Sequence, residues 1–217
     1  MDPLKALFLN CTLKKSPTTS NTEALINKVR GVMESLGVDC EVVRPVDHDI
    51  RFGVSSNEGS GDEWPAILKK IRVSDILVLG SPIWFGVRSS VCQMVLERLD
   101  GTYSEGDPET GQFPLYNKVA GVIVTGNEDG AHDVAANTLF NLSHLGCTVP
   151  PNCDCYWVGD AGPGPSYIEA GADAHLYTNK TARYMAYNIV YMARLLRDNP
   201  NPVNLKALTQ EAQQVSR

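Results

Sequence analysis

The chain has no glycine-rich Walker loop, and where Gly59-Ser60-Gly61 begins a dinucleotide-like spacing, Trp64 stands in place of the last glycine. Both absences exclude the usual glycine-built nucleotide cradles. There is no block of lysines or arginines either: 19 basic against 25 acidic residues leave a formal net charge of -6. Binding a nucleic-acid backbone or an anionic membrane surface needs concentrated positive charge, so neither partner is expected. Long hydrophobic runs are missing too. The longest, around Ile76 to Val87, is shorter than the roughly 20 residues that cross a bilayer. Met1-Asp2-Pro3 places an acid where a secretory signal would carry basic residues. A cytoplasmic protein is expected.

Histidine is scarce, and His48, His132, His144 and His175 are dispersed rather than spaced as ligands on one helix face. The cysteines, Cys11, Cys40, Cys92, Cys147, Cys153 and Cys155, are scattered through apolar segments, which suits buried free thiols better than a disulfide framework. Cys153 and Cys155 would share one face of a strand, but no second pair completes a four-ligand site. No metal is expected.

What the chain does have is ordinary globular composition, with 43% hydrophobic and 20% charged residues, enough for one domain over residues 1–217. Short apolar runs at Leu4 to Cys11, Val38 to Val46, Ile76 to Gly80, Val119 to Thr125 and Cys153 to Val158 read as strands. Helical spacing marks Ser20 to Leu36, Glu63 to Val73, a helix opened by Ser90 with Gln93 in capping-box spacing, Ala131 to Leu145, and Asp173 to Arg197. Residues 101–118 form a turn-rich insert, and the chain ends in a tail after the last helix. Continuous apolar strands alternating with helices imply an α/β protein with a doubly wound parallel sheet, covered on both faces. Ligands of such sheets bind beyond the carboxyl ends of the strands.

Three strand-end loops therefore carry the functional reading. The first, Asn10 to Glu23, offers Thr12, Lys14, Ser20, Asn21 and Thr22 around a helix start that Ser20 and Glu23 cap as a capping box. Unpaired backbone N–H groups and the positive end of the helix dipole suit an anion there, although hydroxyl residues also favour any turn for local reasons. The second, Ser81-Pro82-Ile83-Trp84-Phe85-Gly86, puts two aromatic rings in a loop made irregular by Pro82 and Gly86. Such a pair is by default core, but in an irregular surface loop it suits a planar ligand. The third, Thr125-Gly126-Asn127 with Gly130 and His132, offers close backbone approach and polar groups for a ring edge; the alternatives are an ordinary turn and a surface histidine.

Together, these three motifs in this order resemble the flavodoxin-like fold, specifically the NAD(P)H-dependent FMN reductase family, over most of the chain. The resemblance implies a five-stranded sheet of order 2-1-3-4-5. It also implies FMN as cofactor, NADPH or NADH as co-substrate, and hydride transfer to a quinone, flavin or similar small acceptor. The cofactor-binding residues it implies are Thr12, Lys14, Ser20, Asn21, Thr22, Pro82, Ile83, Trp84, Phe85, Gly86, Thr125, Gly126, Asn127, Gly130 and His132, with no catalytic side chain required. The family commonly has Ser-x-Arg where this chain has Thr12-x-Lys14, so a forked phosphate contact becomes a point charge. Related iron-sulfur flavoproteins carry a cysteine cluster after the second strand, whereas Asp47 to Asp62 contains no cysteine. The insert could cover the flavin or form a dimer contact, and Tyr184, Tyr187 and Tyr191 on the last helix suggest a homo-oligomer. A non-enzymatic flavodoxin-like electron carrier is the alternative. A phospho-acceptor receiver domain fits poorly, because Asn10-Cys11 and Gly80-Ser81 stand where it needs acids.

Overall fold

In the computed structural model, which describes residues 2–162 and 164–215, the central strands bury both of their faces. Phe8, Ile76 and Val78 point into one layer, while Leu7, Leu9, Leu77 and Leu79 point into the other. These alternating side chains belong to β1 (Leu4–Asn10) and β3 (Ile76–Trp84). With β2 (Val38–Val43), β5 (Val119–Gly126) and β6 (Asp154–Val158) they form a parallel sheet in the order β2-β1-β3-β5-β6. Counting only these five strands, that is the 2-1-3-4-5 order expected. The first layer is closed by α1 (Asn21–Ser35) and α5 (Leu176–Asp198), the second by α2 (Trp64–Val73) and α3 (Ser90–Asp100). Helix α4 (Ala131–His144) covers the β5 and β6 end through Val134 and Ala135.

Several boundaries differ from the sequence expectations, each for a local reason. The second strand ends at Val43 rather than Val46, because Pro45 carries no N–H and starts a short turn of 3-10 helix. The third strand does not stop at Gly80 but runs to Trp84. There it pairs with a two-residue antiparallel strand, β4 (Val87–Arg88). Pro82 is tolerated because β1 ends level with Gly80; the Gly80 carbonyl takes the last bond, from Cys11 N–H, so Pro82 faces that side beyond its partner. Helix α3 is capped by Ser89, whose Oγ accepts from Cys92 N–H at 3.1 Å, and not by Ser90. The tail contains a helix, α6 (Leu205–Val215), which buries none of its own residues.

The insert does not lie over the strand carboxyl ends. It precedes β5 and packs Tyr103, Phe113 and Tyr116 together beside His144, at the far end of α4. The segment leading into α6 fastens onto it, with Gln112 Nε2 donating to the Asn201 and Val203 carbonyls and Lys206 N–H to the Thr110 carbonyl. Among the described residues no helix is long and apolar enough to cross a membrane. The cysteines are free thiols, all buried except the half-buried Cys40.

Candidate functional site

The first loop leaves β1 at Asn10 and is held from outside by residues that follow β2. Arg44 Nη1 donates to the Lys14 and Thr18 carbonyls at 3.1 and 2.9 Å. The Asp47 carboxylate accepts from the Ser16 amide and hydroxyl at 2.8 and 2.6 Å, and the hydroxyl holds the Asp47 carboxyl below its usual range. Ser20 caps α1 as expected, accepting from Glu23 N–H at 3.1 Å. The other half of the capping box does not form. Glu23 instead pairs with Arg44 and accepts from Asn10 Nδ2 at 3.0 Å, and Asn10 Oδ1 accepts from Thr12 N–H at 3.3 Å. What remains facing inward is a set of donors. Lys14 Nζ makes one long bond, 3.4 Å to the Thr19 carbonyl, and the first-turn amides of Asn21 and Thr22 lie in the turn that has no intrahelical acceptors.

The second loop is the β3–β4 connection. Pro82, Ile83 and Trp84 form its inner wall; Trp84 is half exposed and Phe85 almost wholly so. The third loop begins at Thr125, whose Oγ1 lies 2.8 Å from Thr22 Oγ1 and so joins the floor of the site to α1. Gly130 has φ +124, and a Cβ added to it would come within 2.3 Å of the Gly86 carbonyl. Glycine is required here so that the two loops can touch.

A fourth loop, after β6, takes part as well. Gly162 N–H donates to the Asn127 carbonyl at 3.2 Å, and Asn127 Nδ2 donates to the Gly164 carbonyl at 2.9 Å. Ile168 N–H donates to Asn21 Oδ1 at 3.0 Å, which draws Ser166 and Tyr167 across the start of α1. Burial pushes the Tyr167 hydroxyl up to about 12, so it stays a neutral wall residue.

These loops enclose one cleft of about 240 Å³, lined by residues of all four. Ten of the expected site residues line it: Thr12, Lys14, Asn21, Thr22, Pro82, Ile83, Trp84, Thr125, Gly126 and Asn127. Ser20 lies buried beneath as the helix cap, Phe85 points outward, and Gly86 and Gly130 form the loop contact behind the wall. His132 stands outside the lining, with Nε2 3.0 Å from the Tyr156 hydroxyl. Leu13, Glu128, Ser166 and Tyr167 line the cleft without having been singled out from sequence. The last two had a readable signal: a glycine- and proline-rich run directly after a strand is another carboxyl-end loop. The cleft joins hydroxyl, ammonium and amide donors at one end to an apolar wall at the other, the chemistry of a ligand with one anionic group and one flat ring.

Residues 4–160 match the sequence profile of the NADPH-dependent FMN reductases. The chain is 45% identical over 98% of its length to an 8-demethyl-8-aminoriboflavin-5'-phosphate synthase of Streptomyces davaonensis, covering 86% of that protein. It is 41% identical over 99% of its length to a Mycobacterium bovis protein named as a divalent metal cation transporter, of which it spans only 33%. Among solved structures, RosB with bound 8-demethyl-8-formylriboflavin-5'-phosphate superposes with a TM-score of 0.93 at 45% identity, over 99% of this chain and 88% of that one. A flavodoxin from the domain Archaea shares the fold alone, with TM-score 0.55 and 11% identity over 88% of this chain and 99% of that one. The chain therefore belongs to the NADPH-dependent FMN reductase family, whose cofactor is FMN and whose co-substrate is a reduced nicotinamide.

Proposed function

We propose that the protein is an FMN-dependent NAD(P)H oxidoreductase that passes hydride to a quinone, a flavin or a similar small acceptor. The observation that carries this function is the union, in one cleft, of an anion cradle and an apolar ring wall. FMN, when bound, supplies the hydride-accepting ring, so the protein's part is position and electrostatics. Thr12, Lys14, Asn21 and Thr22 would hold the phosphate, with Ser20 fixing the helix start that presents the amides. Lys14 offers a point charge instead of an arginine fork. Pro82, Ile83 and Trp84 would wall the ring, with Phe85 and Gly86 shaping the loop. Thr125, Gly126 and Asn127 would meet its polar edge, backed by Gly130 and more distantly by His132. Exposed Tyr184, Tyr187 and Tyr191 on α5 support a homo-oligomer, and we place its work in the cytoplasm.

The test is a visible spectrum of the purified protein with and without added FMN, followed by oxidation of NADH and NADPH in the presence of a quinone. Flavin uptake with flavin-dependent nicotinamide oxidation is expected; failure to take up FMN would contradict the assignment. A bound flavin that ignores both nicotinamides and exchanges single electrons with a protein would favour the carrier. A second function is favoured by the 45% identity to the synthase across nearly the whole chain: the flavin phosphate would then be a substrate altered at ring position 8. The mass of the flavin recovered after turnover separates the two, since a reductase returns it unchanged.

A further inference from the structure

Phe85 has φ +50 while the residue is 94% exposed. A left-handed backbone is unfavourable for a residue with a Cβ, and an exposed ring recovers nothing by packing. What holds the conformation is on the main chain. The Phe85 N–H donates to Glu128 Oε1 at 2.8 Å, across the gap between the second and third strand-end loops. Behind that bond Gly86 and Gly130 are in contact, so the two loops are locked and Glu128 spans them.

Glu128 also lines the cleft with Asn127, Pro82, Ile83 and Trp84, and its bond to the Phe85 amide sets its carboxylate beside the end of that wall. Its charge is not neutralised: among the described residues no lysine, arginine or histidine is within ion-pair distance of it. Arg88, the basic residue of β4, is turned away to Gln93 and Asn141 at 2.7 and 3.0 Å. Lys14 belongs to the cradle formed by the first loop. The apolar end of the cleft therefore carries an unpaired carboxylate, solvated in part by one backbone amide.

We propose that Glu128 is a specificity-determining residue of this cleft, biasing it toward oxidised FMN and against the anionic reduced form. The inference rests on the FMN site proposed above. A carboxylate repels a ring that has gained negative charge, while it leaves a neutral ring untouched. Because the same carboxylate holds the Phe85 amide, the bias is built into the loop geometry.

The experiment compares the wild-type protein with Glu128→Gln and Glu128→Asp, measuring the affinity for oxidised FMN by flavin fluorescence and the midpoint potential of the bound flavin by dye equilibration. Glutamine keeps an acceptor for the Phe85 amide but removes the charge. It should shift the reduced-to-oxidised affinity ratio about tenfold in favour of the reduced form, which for a two-electron couple is an upward shift of about 30 mV. Aspartate keeps the charge and should leave the potential near that of the wild type. A flavin-loaded Glu128→Gln protein of unchanged or lower potential would overturn the assignment, as would equal shifts in both variants. Failure of the wild-type protein to take up FMN would instead overturn the cofactor site, and this role with it.

Discussion

Arg44 shows how a residue outside the cleft can decide what the cleft does. Its guanidinium ties the Lys14 and Thr18 carbonyls and pairs with Glu23, so the first loop keeps the curvature that aims its donors inward. Replacing it by alanine leaves a half-buried carboxylate and two carbonyls without their partner, a loss of about 1–3 kcal/mol. On the proposed function, Arg44→Ala should weaken FMN about tenfold while riboflavin, which has no phosphate, binds as before; parallel fluorescence titrations check this. Gly130→Ala acts on the other side of the site. Its Cβ would meet the Gly86 carbonyl at 2.3 Å on a backbone of φ +124, so the loops must separate. We expect about 1–3 kcal/mol lower stability by urea unfolding and weaker flavin binding.

At the scale of elements, the long segment between β2 and α2 is ordered by one buried ion pair. Arg98 reaches out of α3 to the Asp62 carboxylate at 2.7 Å and to the Arg51 and Ser55 carbonyls at 2.7 and 3.0 Å, with both charged side chains fully buried. Burial alone would raise the Asp62 carboxyl; the Arg98 guanidinium and the Glu58, Trp64 and Arg51 amides outweigh it and hold the group far below its usual range. A carboxyl depressed in the folded state contributes stability that is fully present above its unfolded value, about 3.9, and is lost as pH falls below it. Acid titration of the wild type should therefore show stability falling below about pH 4, and Asp62→Asn should flatten that fall. The same variant leaves a buried guanidinium without its counter-charge, which should cost about 3–5 kcal/mol at neutral pH.

Elements were legible where their signal is local. The apolar alternation of Leu7, Phe8 and Leu9 and the Ser20 cap each act within a few residues, and a parallel sheet covered on both faces followed from continuous apolar strands alternating with helices, whereas the strand order came with the resemblance carried by the three strand-end loops. Interactions between distant segments were not legible. Nothing near Arg44 or Glu23 in the chain says that they meet, and the continuation of β3 through Pro82 depends on where β1 happens to end. The fourth loop was missed because its role comes from Asn21 and Asn127, remote in sequence, that draw it over the cleft. Helix α6 was missed because its anchors lie on the insert and not in the core.

For the whole molecule, the site and the insert occupy opposite ends of the sheet. Among the described residues helix α6 buries none of its own and lies against the insert side, so deleting residues 204–217 should leave FMN binding intact and lower stability by about 1 kcal/mol or less. Thermal unfolding with and without FMN checks both parts. The central claim is that one cleft binds FMN by its phosphate and its ring together. Its most direct test is the ratio of FMN to riboflavin affinity for the wild-type protein and for a Thr12→Val, Lys14→Ala double variant. The account predicts that the wild type prefers FMN at least about tenfold, the worth of one charge-assisted contact, and that the double variant binds the two flavins alike. A wild-type protein that binds neither, or binds both equally, would contradict it.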